Sequence, residues 1–334
     1  MPEIEDIMVT CPLKQDFRDK FWLPYIKKLG KKPIKYLTLY CPPAMDVRHF
    51  CKQGLIDFKE GVYKGVVGVA WNNKGYVRTA NNLEGRMEKF KIGKISKFLR
   101  ENDKELNDSF PFDVINLDYC NHLVNSYVSD NVDDIAQITA MQKSKNCPRF
   151  TLFITTRTDK NEAQVGFHPL FIKSLDSRIK LNIAKFQDFR DKYNKLFGAK
   201  KPTDNEFLLI GIVKFVSNIL AENGYMIKEC SAAWLIRNII KPGKPERDLL
   251  HLAFLVSLKE VKGQRRKSFL EYGAGVHLEP SAARILDQML AKRVYALTER
   301  DDKARLDKVY GAYLTSLKET NFELSTPVPI EQKK

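Results

Sequence analysis

The sequence predicts an α/β protein built on a mostly parallel sheet that finishes in an antiparallel hairpin. Three observations carry this reading. Short β-branched and aromatic runs alternate with helical patterns between residues 36 and 156, the order that winds a parallel sheet. A strongly apolar helix follows over 205–223. Two long strand-like segments, 224–238 and 248–261, then succeed each other across the turn-rich KPGKPER, as in an antiparallel pair.

Taken in order, residues 36–41 (YLTLYC) read as the first strand, ended by Pro42 and Pro43. Ala44–Lys52 reads as a helix with Val47, Phe50 and Cys51 on one face, stopped by Gly54. Residues 66–71 (VVGVAW) form a second buried-type strand. The stretch 83–101 reads as helix, interrupted near Gly93, with Leu83, Met87, Phe90, Ile95, Phe98 and Leu99 apolar. In FPFDVINLDYCN at 110–121, Val114, Ile115 and Leu117 make a strand whose end carries Asn116, Asp118 and Tyr119. A helix over 132–145 turns Ile135, Ile138 and Met141 inward, and RFTLFITT at 149–156 is the fourth strong strand. After Lys262 the connector KGQRRK leads to two amphipathic helices. One starts near Pro280 and carries Ile285, Leu286, Met289, Leu290 and Val294. The other carries Leu306, Val309, Tyr310, Tyr313, Leu314 and Leu317. These divisions give a basic segment over 1–33, a sheet domain over 34–262, a helical extension over 263–325 and a disordered tail over 326–334.

Composition narrows the class. An apolar fraction of 43% and a charged fraction of 29% exclude a wholly disordered chain. No apolar run approaches the roughly 20 residues of a spanning helix. The opening MPEIEDIMVTCPLKQDF has neither signal nor transit character, so a soluble cytoplasmic protein without membrane contact is expected. The 56 Lys and Arg exceed the 41 Asp and Glu by 15, a balance that draws polyanions, with DNA or RNA first among them. The cysteines at 11, 41, 51, 120, 147 and 230 form no C-x-x-C pair and match no zinc spacing, and no metal is assigned.

Basic clusters are the candidate nucleic-acid contacts. They are Lys31 and Lys32 in KKLGKKPIK, with Trp22, Tyr25 and Tyr36 nearby; Lys94 and Lys97 in KFKIGKISKFLR; and Arg265 and Arg266 in KGQRRK. Lys and Arg contact phosphates while exposed aromatics stack bases. The competing account makes each cluster a solvated face with its aromatics buried.

The strings YLTLYCPPAMDV, VVGVAWNN and FDVINLDYCN all lie at the carboxyl ends of strands, where ligands of open α/β sheets bind. Together with the terminal helix and hairpin, they make residues 34–262 resemble the Rossmann-like fold of class I S-adenosylmethionine-dependent methyltransferases, with a seven-stranded sheet. The resemblance implies S-adenosylmethionine as cofactor, held by Cys41, Pro42, Asp46, Trp71 and Asn72. It implies an acceptor positioned by Asn116, Asp118 and Tyr119, which partly match an (Asp/Asn/Ser)-Pro-Pro-aromatic motif without its prolines. The chain departs from the family pattern in two places. Cys41–Asp46 contains no glycine where the backbone must approach the cofactor, and Ala70–Asn73 lacks the expected ribose-binding acid. Asp46 also reads as a helix-start residue, and Asn116, Asp118 and Tyr119 as a strand-end cap with a packed ring.

The leading expectation is methyl transfer to nucleic acid. The alternative is a catalytically inactive methyltransferase-fold subunit that binds nucleic acid or assembles a complex. A third is a protein-interaction scaffold built on the C-terminal helices.

Overall fold

The computed structural model describes residues 17–39, 44–70, 86–119, 123, 130–158, 169–237, 246–259, 283–291 and 295–298. In chain order, a π-helical turn at Arg18–Trp22 runs into α1 (Leu23–Lys27). Next come β1 (Tyr36–Leu39), α2 (Met45–Lys52), β2 (Phe58–Lys59), β3 (Val62–Ala70) and β4 (Met87–Ile92). The middle of the chain supplies α3 (Ile95–Arg100), α4 (Lys104–Ser109), β5 (Val114–Asp118), α5 (Asp130–Ser144) and β6 (Arg149–Arg157). Then follow α6 (Pro169–Lys185), α7 (Gln187–Phe197), α8 (Asp204–Glu222), β7 (Tyr225–Arg237), β8 (Glu246–Leu258), α9 (Ala283–Leu290) and β9 (Tyr295–Thr298).

The strands form one nine-stranded sheet in the order β2-β3-β1-β5-β6-β8-β7-β9, with β4 also paired to β3. β4, β3, β1, β5 and β6 run parallel, and the β7–β8 hairpin enters reversed, with β8 beside β6. This is the α/β arrangement expected above, with β2 and β9 added to its seven strands.

Period-2 alternation sends neighbouring residues to opposite faces and makes two cores. On one face Tyr36, Val66, Val114 and Phe153 meet Phe17, Trp22, Ile26, Val47 and Phe50. Trp22 stacks on Phe153 with ring centroids 4.8 Å apart. On the other face Leu37, Ile115, Leu117 and Leu152 pack against α3 to α9. Residues before 34 therefore belong partly to the core: Trp22 and Tyr25 are buried, as is Tyr36 on the other side of Lys31 and Lys32.

Two expectations change. Residues 87–92, expected as helix, form β4. Lys89 and Lys91 alternate with Phe90 and Ile92, and Lys91 Nζ reaches Asp103 at 2.9 Å and Glu105 at 2.8 Å, satisfying its charge on a strand. The helix resumes only after Gly93, whose φ of 147° no side chain favours. The helix begun near Pro280 ends at Leu290, and Tyr295–Thr298 pairs parallel to β7 instead. Residues 169–197 add two helices, α6 and α7. The expected second C-terminal helix, with Leu306 and Val309, lies outside the described residues.

Candidate functional site

The parallel strands place the carboxyl ends of β1, β3 and β5 on one side of the sheet. Leu39 lies opposite Val69, Thr38 opposite Asn116, and Asp118 opposite Thr155. Strand order reverses between β1 and β5, because β3 lies on one side of β1 and β6 on the far side of β5. Such a switch point opens a crevice above the strand ends.

Below that crevice lies a buried polar knot. Asp46, in the first turn of α2, accepts at Oδ2 from the Tyr36 hydroxyl at 2.5 Å, the Thr38 hydroxyl at 2.9 Å and Asn116 Nδ2 at 3.4 Å. Asn116 Nδ2 also lies 3.2 Å from Thr38 Oγ1. Burial, and then the adjacent Asp46 carboxylate, hold the Tyr36 hydroxyl well above its ordinary pKa. Asp46 is therefore spent on tying α2 to β1 and β5, and it is 6% exposed. The turn into α2 is built on Ala44 at φ 45°, a left-handed conformation at the point where the resemblance leads one to expect glycine.

The three residues expected to hold an acceptor separate. Asn116 is 3% exposed and directs its amide nitrogen into the knot, while its Oδ1 is buried with no hydrogen-bond partner among the described residues. Tyr119 turns inward: its hydroxyl donates to the Asn131 carbonyl at 3.0 Å, and its ring packs on the helical core. Burial, helped by Asp134, raises its pKa well above the ordinary value. This placement agrees with the packed-ring reading of Tyr119. Asp118 sits half-buried at the mouth, on the same face as Asn116. Cys41, Pro42, Trp71 and Asn72 lie outside the described residues.

A pair missed in the sequence lies next to Asp118. β5, β6 and β8 bring Asp118, Thr155 and His251 into register, and Thr155 Oγ1 and His251 Nδ1 are 2.8 Å apart. Phe17 covers the imidazole with a centroid distance of 4.4 Å, and the ring is 2% exposed. A histidine within LLHLAF was the one available signal, and nothing in a single strand reveals its cross-strand partners.

The basic clusters part as well. Lys94 and Lys97 are exposed just past the carboxyl end of β4, on the mouth side, whereas Lys31 and Lys32 precede β1 and lie at the opposite end of the sheet. Arg265 and Arg266 are outside the described residues. Among the described residues no group of His, Cys, Asp and Glu is placed to hold a metal, and no helix is long and apolar enough to cross a membrane. Cys147 and Cys230 are buried thiols, pushed up to about 11 and about 12 by desolvation.

A family model described as PP_RS20740-like matches residues 91–310. The chain belongs to the PP_RS20740-like family. That match begins within β4 and takes in β5, β6, the β7–β8 hairpin and β9. No curated protein matches the chain. Among solved structures, a methyltransferase from Methanosarcina mazei aligns at 13% identity and TM-score 0.33, over 71% of this chain and 98% of its own. One from Archaeoglobus fulgidus aligns at 14% and TM-score 0.34, over 74% and 93%. The plantazolicin methyltransferase BamL aligns at 11% and TM-score 0.36, over 69% and 80%. At such low scores it is the strand order of this PP_RS20740-like chain, with its reversed final hairpin, that identifies the methyltransferase-like Rossmann fold.

Proposed function

We propose that the protein binds S-adenosylmethionine in the crevice between β1 and β5 and transfers its methyl group to an acceptor placed at the same mouth. The observation that supports this is the convergence of the parallel strand ends on one switch point, beside the start of α2. The donor supplies an activated methyl group on a sulfonium, so the chain's task is placement. Asp118 is the polar residue best located to orient a donor or acceptor group. Thr38, Asp46 and Asn116 act beneath it as positioning residues that fix the relative height of β1, β5 and α2.

A nucleic-acid acceptor draws its support from the charge excess and from Lys94 and Lys97 at the mouth. The inward ring of Tyr119 argues against base stacking there. A second reading keeps the fold without the chemistry, as a binding or assembly subunit. It is favoured by the engagement of Asp46 within the core and by the glycine-free Cys41–Asp46 stretch.

Isothermal titration with S-adenosylhomocysteine separates the two. Methyl-transfer chemistry predicts saturable binding at one site that Asp118→Ala weakens. No heat from folded protein leaves the non-catalytic reading.

A further inference from the structure

The end of the sheet away from the mouth carries a separate feature. Lys31 and Lys32 precede β1, Lys143 and Lys145 lie where α5 turns into β6, Arg149 opens β6, and Lys259 follows β8. All are exposed. Backbone and side-chain contacts place them along one edge. Lys31 Nζ is 2.8 Å from Asp113 Oδ1, and Asp113 precedes β5 and accepts at its carbonyl from the Thr151 amide at 2.9 Å. The Leu258 amide donates to the Pro148 carbonyl and the Lys259 amide to that of Gly224, each at 2.9 Å. A Cβ added to Gly224 would lie 3.4 Å from Lys143 Nζ. From β1 through β5, β6 and β8 to β7 the edge spans four strand spacings, about 19 Å at 4.8 Å each.

These cations are largely uncompensated. Lys31 is paired with Asp113, but Lys32, Lys143, Lys145, Arg149 and Lys259 form no ion pair among the described residues. Asp108, Glu222 and, near Lys35, Glu88 are exposed acids at this end of the sheet. Folding gains nothing from such a row of like charges, which repel across a few strand spacings unless an anion screens them. The aromatics that would offer a stacking platform, Trp22, Tyr25 and Tyr36, are buried. The one exposed large apolar side chain among the described residues, Phe58, lies on β2, outside the strip and against Tyr63.

We propose that this amino-terminal edge binds the phosphate backbone of double-stranded nucleic acid, independently of any methyl donor at the opposite end. Cations in a row without aromatics suit backbone contact and not base stacking, so recognition is independent of sequence. Among the described residues the strip exposes no large apolar side chain, which disfavours a bilayer surface, since that would use such side chains for insertion. At 3.4 Å per base pair, 19 Å corresponds to about six base pairs, enough to present several phosphates to the lysines.

The test is fluorescence anisotropy of the full chain with a labelled 24-base-pair DNA duplex at 50 and 200 mM salt. With about four phosphates engaged, affinity should fall by about 150-fold over that range. Replacing Lys143, Lys145, Arg149 and Lys259 together by glutamine should lower the affinity at 50 mM salt by at least about tenfold and flatten the salt dependence. Lys200→Gln with Lys201→Gln, exposed in the connector before α8 and outside the strip, should leave both within about twofold. The double variants Lys143→Gln/Lys145→Gln and Arg149→Gln/Lys259→Gln give the same reading in smaller steps, and thermal melting confirms that each is folded. Absence of duplex binding by the folded wild type overturns the proposal. So does binding that the four substitutions leave unchanged, or binding to vesicles containing phosphatidylserine with none to the duplex.

Discussion

The two ends of this sheet handle polar side chains in opposite ways. At the carboxyl end, Asp46 is drawn inward and bonded to Tyr36, Thr38 and Asn116. At the amino end, Gln142 does the inward work. Its amide donates to the Phe112 carbonyl at 2.6 Å and accepts from the Phe112 amide at 2.8 Å, while the surrounding lysines stay in solvent. The mouth thus combines internal polar bonding with a half-buried Asp118, and the far edge combines internal polar bonding with unpaired positive charge. A charged residue near a strand end is therefore a weak guide to ligand binding until its partners are known.

Asp46→Ala should show the largest effect. It removes the acceptor shared by two hydroxyls and an amide, and about 3 kcal/mol of stability should be lost in urea unfolding. A loss below about 1 kcal/mol would mean that the knot is not holding the mouth together. Gln142→Leu should cost about 2 kcal/mol at the opposite end, by leaving the Phe112 amide unpaired and its carbonyl with only the Cys147 thiol at 3.8 Å. Equal losses at the two sites would erase the contrast in how much polar bonding each end has committed.

Acid probes the charged periphery. Burial pulls the Asp103 carboxyl upward, but the Leu106 amide and the Lys91 ammonium outweigh it, so its pKa lies below the ordinary value. The stability it contributes is present above about pH 4 and is lost as pH falls through the lowered folded value. Asp103→Asn should therefore be less stable than wild type at pH 6, with the difference shrinking at pH 3, as read by urea midpoints. The smallest effect belongs to Lys143→Gln with Lys145→Gln, which should change stability by no more than about 0.5 kcal/mol. A larger loss would mean that these lysines are structural.

Much of the architecture was legible because period and order are local. Short β-branched and aromatic runs in YLTLYC, VVGVAW and RFTLFITT, the apolar stretch Phe207–Leu220 and the KPGKPER turn indicate strand, helix and hairpin without knowledge of partners. The start of α8 even carries its own cap, Thr203 and Glu206 exchanging hydrogen bonds. The stretch 87–92 was misread because Met87 and Phe90 sit at helical spacing. The acids that settle Lys91 on a strand, Asp103 and Glu105, come later in the chain.

At the candidate site the same limit applies more strongly. Asn116 and Asp118 were visible as polar residues at a strand end, but a single string does not disclose that Asn116 bonds to Asp46 while Tyr119 turns to Asn131. Nor does it disclose that Thr155 and His251, 96 positions apart, meet beside Asp118. Those are properties of sheet register, which exists only once β1, β5, β6 and β8 are side by side.

Hydrogen–deuterium exchange of the full chain, with S-adenosylhomocysteine and with the duplex in separate experiments, tests the division between the two ends most directly. The nucleoside should slow exchange in peptides covering 36–39, 44–52 and 114–118, and the duplex in those covering 143–149 and 257–259. Protection of one common set of peptides by both ligands would contradict it, as would a nucleoside that protects no peptide at the mouth.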